Sequence, residues 1–198
     1  TARVAAITGD GVLHVWGLSG GQEEHVFPAG VIGCAWDRSG SKLAAWTSDK
    51  SLFRGGATRP LSLRVWDVAD GAEIATLEAG ADYFNPLFGP DSSRLLLSSL
   101  SPSSSWQTTL WDVERGAELA RAYGSAQWSA DGARVLVTSD EGAVLCDAAD
   151  GRTLHTWPQA RVARWGLDDT VVAGSTAGGD ILLWDTATGA QRPALPGH

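Results

Sequence analysis

An all-β fold assembled from repeated antiparallel units is predicted by three features of this sequence. The first is the stretch Leu63 to Gly71 (Leu-Arg-Val-Trp-Asp-Val-Ala-Asp-Gly), which recurs along the chain. Its copies are Leu13-His14-Val15-Trp16-Gly17 ending at Gly21, Thr109-Leu110-Trp111-Asp112 ending at Gly116, Val144-Leu145-Cys146-Asp147 ending at Gly151, and Leu182-Leu183-Trp184-Asp185 ending at Gly189. A repeat of this kind constrains architecture before any single element does. The second feature is the alternation of apolar residues ahead of each Asp, the period of a strand with one buried face. The third is that no segment shows the period of an amphipathic helix.

Each copy reads as a strand followed by a tight hairpin. The Asp carboxylate can accept hydrogen bonds from the amides of its own turn, and the Gly supplies the positive φ needed at the hairpin exit. A second motif precedes most copies: Trp36-Asp37-Arg38-Ser39-Gly40, Phe88-Gly89-Pro90-Asp91-Ser92, Trp128-Ser129-Ala130-Asp131-Gly132 and Trp165-Gly166-Leu167-Asp168-Asp169. With both motifs in fixed order over essentially the whole chain, the sequence resembles the WD-repeat family, whose units carry Trp-Asp before a Gly turn and a Phe-Ser-Pro-Asp-Gly-like turn upstream. The resemblance implies a β-propeller of four-stranded antiparallel blades, lettered a to d from the inside out, here a partial ring of about five blades.

Taken in order, residues 1–27 supply only strands b, c and d of a first, partial blade: Arg3 to Thr8, Val12 to Trp16, and Gln22 to Phe27. Gly9-Asp10-Gly11 between the first two is a hairpin signal. The second blade, 31–77, takes Val31 to Trp36, Lys42 to Ser48, Leu61 to Trp66 and Ala72 to Leu77. The third, 83–122, takes Tyr83 to Phe88, Arg94 to Ser99, Gln107 to Trp111 and Ala117 to Ala122. The fourth, 125–157, takes Ser125 to Trp128, Ala133 to Thr138, Ala143 to Cys146 and Arg152 to Trp157. The fifth, 161–195, takes Arg161 to Trp165, Thr170 to Gly174, Ile181 to Trp184 and Ala190 to Leu195. The chain starts at Thr1, contains no Met, and ends in what reads as the opening of another repeat. It is therefore expected not to close a ring alone, with remaining blades supplied by the parent chain or another chain; propellers of this class have about seven blades.

A chain of 198 residues with 43% hydrophobic content can bury a sizeable core, and no apolar run reaches the roughly 18 residues of a membrane span. A net charge of −8, with Lys42 and Lys50 the only lysines, argues against nucleic acid, which is bound by clustered cations. Cys34 and Cys146 match no metal or redox spacing and read as small buried hydrophobes. A reducing compartment suits them, and the expected location is cytoplasmic.

Ten tryptophans invite thoughts of ligand stacking. Their positions argue for core instead: Trp16, Trp66, Trp111 and Trp184 end strand c, while Trp36, Trp128 and Trp165, with Phe88, end strand a. Trp46 and Trp157 also read as core, whereas Trp106 falls in an insertion. Members of the family build a buried network from a His, an Asp, a Ser or Thr and the strand-c Trp; Thr8, Asp10 and Trp16 match three of its positions, and the later blades lack the His. The recurring Asp67, Asp112, Asp147 and Asp185 are turn residues. His14, His25 and His155 have no metal-binding spacing, and no nucleophile and base stand together, so neither cofactor nor metal is expected. The implied function is non-catalytic protein binding, as a scaffold or sensor. The alternative is a quinone-cofactor dehydrogenase-like propeller enzyme, suggested by Asp147 to Gly151 followed by Trp157.

The turn glycines are separated by 50, 45, 35 and 38 residues, and both excesses fall between strands b and c. They are Asp49 to Pro60 in the second blade and the Ser-rich stretch Ser98 to Trp106 in the third. Successive strands reverse direction, so b-to-c and d-to-a connections share one face. Lys50, Leu52, Phe53, Arg54, Arg59 and Trp106 combine cations with apolar and aromatic groups there, the composition of binding hot spots, which implies a partner with an acidic surface. Replacing Phe53, Arg54, Arg59 and Trp106 with Ala is expected to weaken capture of that partner while leaving the thermal midpoint nearly unchanged, and unaltered capture would remove the inference.

Overall fold

The computed structural model describes residues 2–27, 30–47, 61–79, 85–100 and 105–193. Every regular element among them is a strand: β1 (Arg3–Ile7), β2 (Leu13–Gly17), β3 (Gln22–Phe27), β4 (Val31–Trp36), β5 (Lys42–Thr47), β6 (Leu61–Asp67), β7 (Glu73–Ala79), β8 (Asn85–Phe88), β9 (Arg94–Leu100), β10 (Trp106–Asp112), β11 (Ala117–Tyr123), β12 (Ser125–Trp128), β13 (Arg134–Ser139), β14 (Gly142–Asp147), β15 (Thr153–Trp157), β16 (Val162–Trp165), β17 (Val171–Ser175), β18 (Ile181–Asp185) and β19 (Gln191–Arg192). They form five antiparallel sheets, each a run of sequence neighbours: β1 to β3, β4 to β7, β8 to β11, β12 to β15 and β16 to β19. The fold is all-β, the meandering blades of a partial β-propeller, and the first blade has three strands.

The hairpins form for the reason their sequence suggests. Asp67 accepts from the Ala69 amide at 2.7 Å, Asp112 from Arg115 at 3.0 Å, Asp147 from Ala149 at 2.9 Å and Asp185 from Thr188 at 3.0 Å. Four residues after each Asp the backbone turns left-handed at Gly71, Gly116, Gly151 and Gly189, with φ between 58° and 75°. At Gly71 glycine is required twice over, because a Cβ would also stand 2.7 Å from the imidazole of His25 in the preceding blade. The residue after each Asp then ties the c-to-d turn to the a-to-b turn of its own blade: Val68 to Ser41, Val113 to Ser93, Ala148 to Ala133 and Thr186 to Thr170.

The chain divides into two compact units, Thr1–Leu95 with Asp112–Ala117, and Leu96–Trp111 with Glu118–His198. In the first, Leu13, Val15, Phe27, Val31, Leu43, Ala45, Trp66 and Val68 form one core. Its seam between β3 and β6 is an aromatic pair, Phe27 against Trp66, with ring centroids 4.6 Å apart. Beside it His25 Nε2 hydrogen-bonds the Val68 carbonyl at 2.9 Å. In the second unit the seam between β15 and β18 repeats this arrangement with Trp157 stacked on Trp184 at 5.5 Å. The corresponding places between β11 and β14 hold Ala122 and Cys146, and there a cavity of about 230 Å³ opens among Leu96, Leu110, Val137 and Val144.

The a-to-b turns carry a second kind of tie. In the first unit Ser92, at φ 62°, stands where the second blade has Gly40. Its hydroxyl donates to Asp37 at 2.6 Å, and its carbonyl accepts from Lys42 Nζ at 2.9 Å. In the second unit Asp169, at φ 57°, stands where the fourth blade has Gly132. Its carboxylate accepts from the Ala130 amide at 2.5 Å, and its carbonyl accepts from Arg134 at 3.3 Å. Left-handed backbone at a side-chain-bearing residue costs about 1–2 kcal/mol, and these bonds to the neighbouring blade offset it.

Not every tryptophan is interior. Trp66, Trp111, Trp157 and Trp184 are buried, but Trp16, Trp36, Trp46, Trp128 and Trp165 are only half-buried. Trp165 shows why: it lies under the Arg134 guanidinium, 5.4 Å away, and turns its indole N–H toward the Gln127 carbonyl at 3.4 Å. A ring with a polar edge can end a strand with one side wet.

Two outcomes follow from this packing. Ala122→Phe should restore a ring to the vacant seam and raise stability by about 1 kcal/mol, as cavity-filling changes commonly do; a fall in the thermal midpoint would mean that the seam has no room. Burial opposes ionisation of Asp37, but hydrogen bonds from Ser39, Ser92, the Lys42 amide and Ser41 outweigh it and hold the carboxyl at about 2, below its ordinary 3.8. A depressed folded-state value contributes stability that is present above pH ~4 and lost as pH falls toward 2. Acid titration of the wild type against Asp37→Asn should therefore show the wild type losing its advantage in that window, and parallel curves would contradict the assignment.

Candidate interaction groove

Of the residues that the sequence proposes for a partner, Lys50, Leu52, Phe53, Arg54 and Arg59 lie outside the described residues. Trp106 lies within them, and its setting differs from the insertion expected for it. It is the first residue of β10, since β9 continues to Leu100 and the strands take up part of the Ser-rich stretch. Thr108 explains the ordered start: its hydroxyl donates to the Gly124 carbonyl at 2.7 Å, and the Gly124 amide donates to the Trp106 carbonyl at 2.7 Å. Gly124, at φ 118°, joins β11 to β12, and a Cβ there would collide with the Thr138 carbonyl. This close approach brings the end of the third blade against the fourth.

The result is a groove of about 630 Å³ within the second unit, at the ends of the strands where b-to-c and d-to-a connections are made. Trp106, at the start of β10, and Tyr123, at the end of β11, line it and are 48% and 65% exposed. Val162 and Arg164 line it from β16, where they alternate with the fully buried Ala163; Val162 is 52% exposed. Thr138 and Ser139 end β13, and Asp140-Glu141 is the turn into β14. Arg161 donates to the Asp140 carbonyl, and Arg164 donates to the Ala163 carbonyl at 2.8 Å. Thr138 is 8% exposed, and its hydroxyl has no hydrogen-bond partner among the described residues.

Tyr123, Thr138, Arg161, Val162 and Arg164 were not singled out by the sequence. The available signal was positional: d-to-a junctions share a face with the b-to-c connections, and Tyr123 and Arg161 stand at such junctions. The cysteines offer no reactive centre. Burial pushes both thiols upward, for Cys146 against the opposing effect of a Thr153 hydrogen bond, and neither is a ready thiolate. The Asp residues that repeat along the chain are engaged in their own turns. His14 and His155 lie against Trp16 and Trp157. Among the described residues no group of three or more His, Cys, Asp and Glu side chains could hold a metal ion.

No family model matches the chain. It is similar to the APC/C activator protein CDH1 of Saccharomyces cerevisiae, a WD-repeat protein, with 24% identity over 169 residues that cover 81% of this chain and 27% of that protein. The similarity to that WD-repeat protein is weak. The chain's blades superpose on a crystal structure of the eukaryotic initiation factor with a TM-score of 0.77 at 14% identity, covering 98% of this chain and 50% of that one. They also superpose on the computationally designed Ika8 protein with a TM-score of 0.60 at 17% identity, covering 99% and 59%. These two likenesses bear on the fold alone. The chain spans about a quarter of the length of the curated WD-repeat relative it matches.

Proposed function

We propose that this chain is a non-catalytic protein-binding module, a scaffold or sensor of WD-repeat type, and that the groove of the second unit receives a segment of its partner. One observation carries the reading. Two large aromatic side chains, Trp106 and Tyr123, stand about half or more exposed in one groove held by strand ends. Exposed rings that cluster beside arginines have the composition of interface hot spots. Binding residues also concentrate at loop-bearing ends of rigid scaffolds.

The similarity to an APC/C activator supports a regulatory binding role at the level of class, as one contributor to a larger assembly. The composition of the groove is consistent with this: arginine and aromatic groups line it together with hydroxyls and carboxylates. Among the described residues there is also no helix long and apolar enough to cross a membrane.

The test compares Trp106→Ala with Tyr123→Ala, singly and together, against Leu167→Ala at a fully exposed turn outside the groove. The groove variants should keep their thermal midpoints within the small range typical of surface changes, about 0.5 kcal/mol. Each should nonetheless weaken capture of the partner from native lysate, by a hot-spot-sized 2 kcal/mol or about 30-fold. If Leu167→Ala weakens capture as much as the double variant does, binding is not in the groove.

A further inference from the structure

The geometry points to an acidic ligand: we infer that the groove binds an extended peptide segment that offers an isolated Asp or Glu side chain to Arg161 and Arg164, with an adjoining aromatic or apolar side chain against Trp106 and Tyr123. This rests on the groove being a protein-binding site and adds the chemistry of what it selects.

The chain has 23 acidic residues against 15 Lys and Arg. Among the described arginines Arg38, Arg134, Arg161 and Arg164 are in no ion pair, but Arg134 is held by Thr186 and Trp165 and Arg38 lies on the turn between β4 and β5, which leaves two that share one site. Arg3, Arg64, Arg94, Arg115, Arg121, Arg152 and Arg192 all sit beside carboxylates. Arg161 and Arg164, both exposed and both lining the groove, are in no ion pair among the described residues; each contacts only a backbone carbonyl there. A carbonyl occupies part of a guanidinium without forming an ion pair, and leaves further donors able to take a carboxylate.

The unpartnered Thr138 hydroxyl is an independent indication. The oxygen is enclosed in the same lining, and a turn of the side chain toward the groove would let its O–H donate to a carboxylate or peptide carbonyl there. Asp140 and Glu141, exposed on the β13–β14 turn, set the limit. They repel a run of acidic residues, so the groove selects one acidic side chain with uncharged or basic neighbours. Trp106 and Tyr123 supply the apolar contact that a lone ion pair in water lacks, since an exposed pair is worth at most about 1 kcal/mol.

Three fluorescent peptides, identical except for Glu, Gln or Lys between two Phe residues in a Gly-Ser background, are titrated with the full chain and read by anisotropy. The Glu peptide should bind at least about tenfold tighter than the Gln peptide. That margin should shrink with added salt and disappear in Arg161→Gln/Arg164→Gln. Thr138→Val should weaken the Glu peptide while leaving the unliganded chain at least as stable, and Trp106→Ala/Tyr123→Ala should weaken all three peptides. Thermal melts show that each variant is folded. Equal binding of Glu and Gln peptides, or tightest binding of Lys, with dependence on Trp106 and Tyr123 intact, overturns the acidic preference and leaves the protein-binding reading standing. If no peptide binds, or if binding ignores Trp106 and Tyr123, both fall.

Discussion

A small antiparallel sheet cannot bury its faces by its own hairpins, and in this chain apolar faces are covered by the next sheet along. The seam between consecutive blades is therefore the contact on which the rest depends. It has the same construction in both compact units: a ring from the outer strand of one blade meets the strand-c Trp of the next, as Phe27 meets Trp66 and Trp157 meets Trp184. A left-handed a-to-b turn residue also gives its carbonyl to a cation at the start of the preceding blade's second strand. Ser92 does so to Lys42, one seam further along than the rings in the first unit, and Asp169 to Arg134, at the same seam as the rings in the second. The apolar pair supplies burial, and the polar clamp fixes register. Neither is legible from one blade alone, because each partner sits in a different repeat.

That division explains how much of the fold could be read from the sequence. Strand identity, hairpin position and the three-stranded first sheet follow from local rules: alternation, an Asp that binds its own turn amides, and a Gly four residues later. The roles of Ser92 and Asp169 were hidden. Both occupy a place where the motif favours Gly, so each looks like simple degeneracy. Their side chains instead bond to the neighbouring blade, Ser92 to Asp37 and Asp169 to the Ala130 amide. Degeneracy of another sort does cost packing. Where both ring positions of a seam are lost, at Ala122 and Cys146, the space remains unfilled.

The candidate site was legible in part. The loss of a regular interval between turn glycines singled out one end of the sheets, and Trp106 was the residue there that no repeat position required. Tyr123, Arg161 and Arg164 escaped because they occupy ordinary strand ends and their chemistry becomes visible only when strands from successive blades are brought together. Thr138 was hidden for a different reason. Residues of its type are common at the end of a strand, and only the absence of a partner for its buried hydroxyl distinguishes it.

The two ends of the blades divide their work. At the a-to-b and c-to-d end, the carboxylates of Asp37, Asp112, Asp147 and Asp185 and the side chains of Lys42, Arg94 and Arg134 are all committed to turns or to neighbouring residues. At the groove end of the second unit, the ties run chiefly through backbone carbonyls, those of Trp106, Gly124, Asp140 and Ala163. A bond to a carbonyl orients an arginine without cancelling its charge. Trp106 and Tyr123, at strand ends there, likewise remain exposed. Side chains at one end are thus spent on holding the blades together, while those at the other are held in place and left available. A binding surface on a repeat protein needs this asymmetry, since a partner can then engage one end without competing for the interactions that keep the blades assembled.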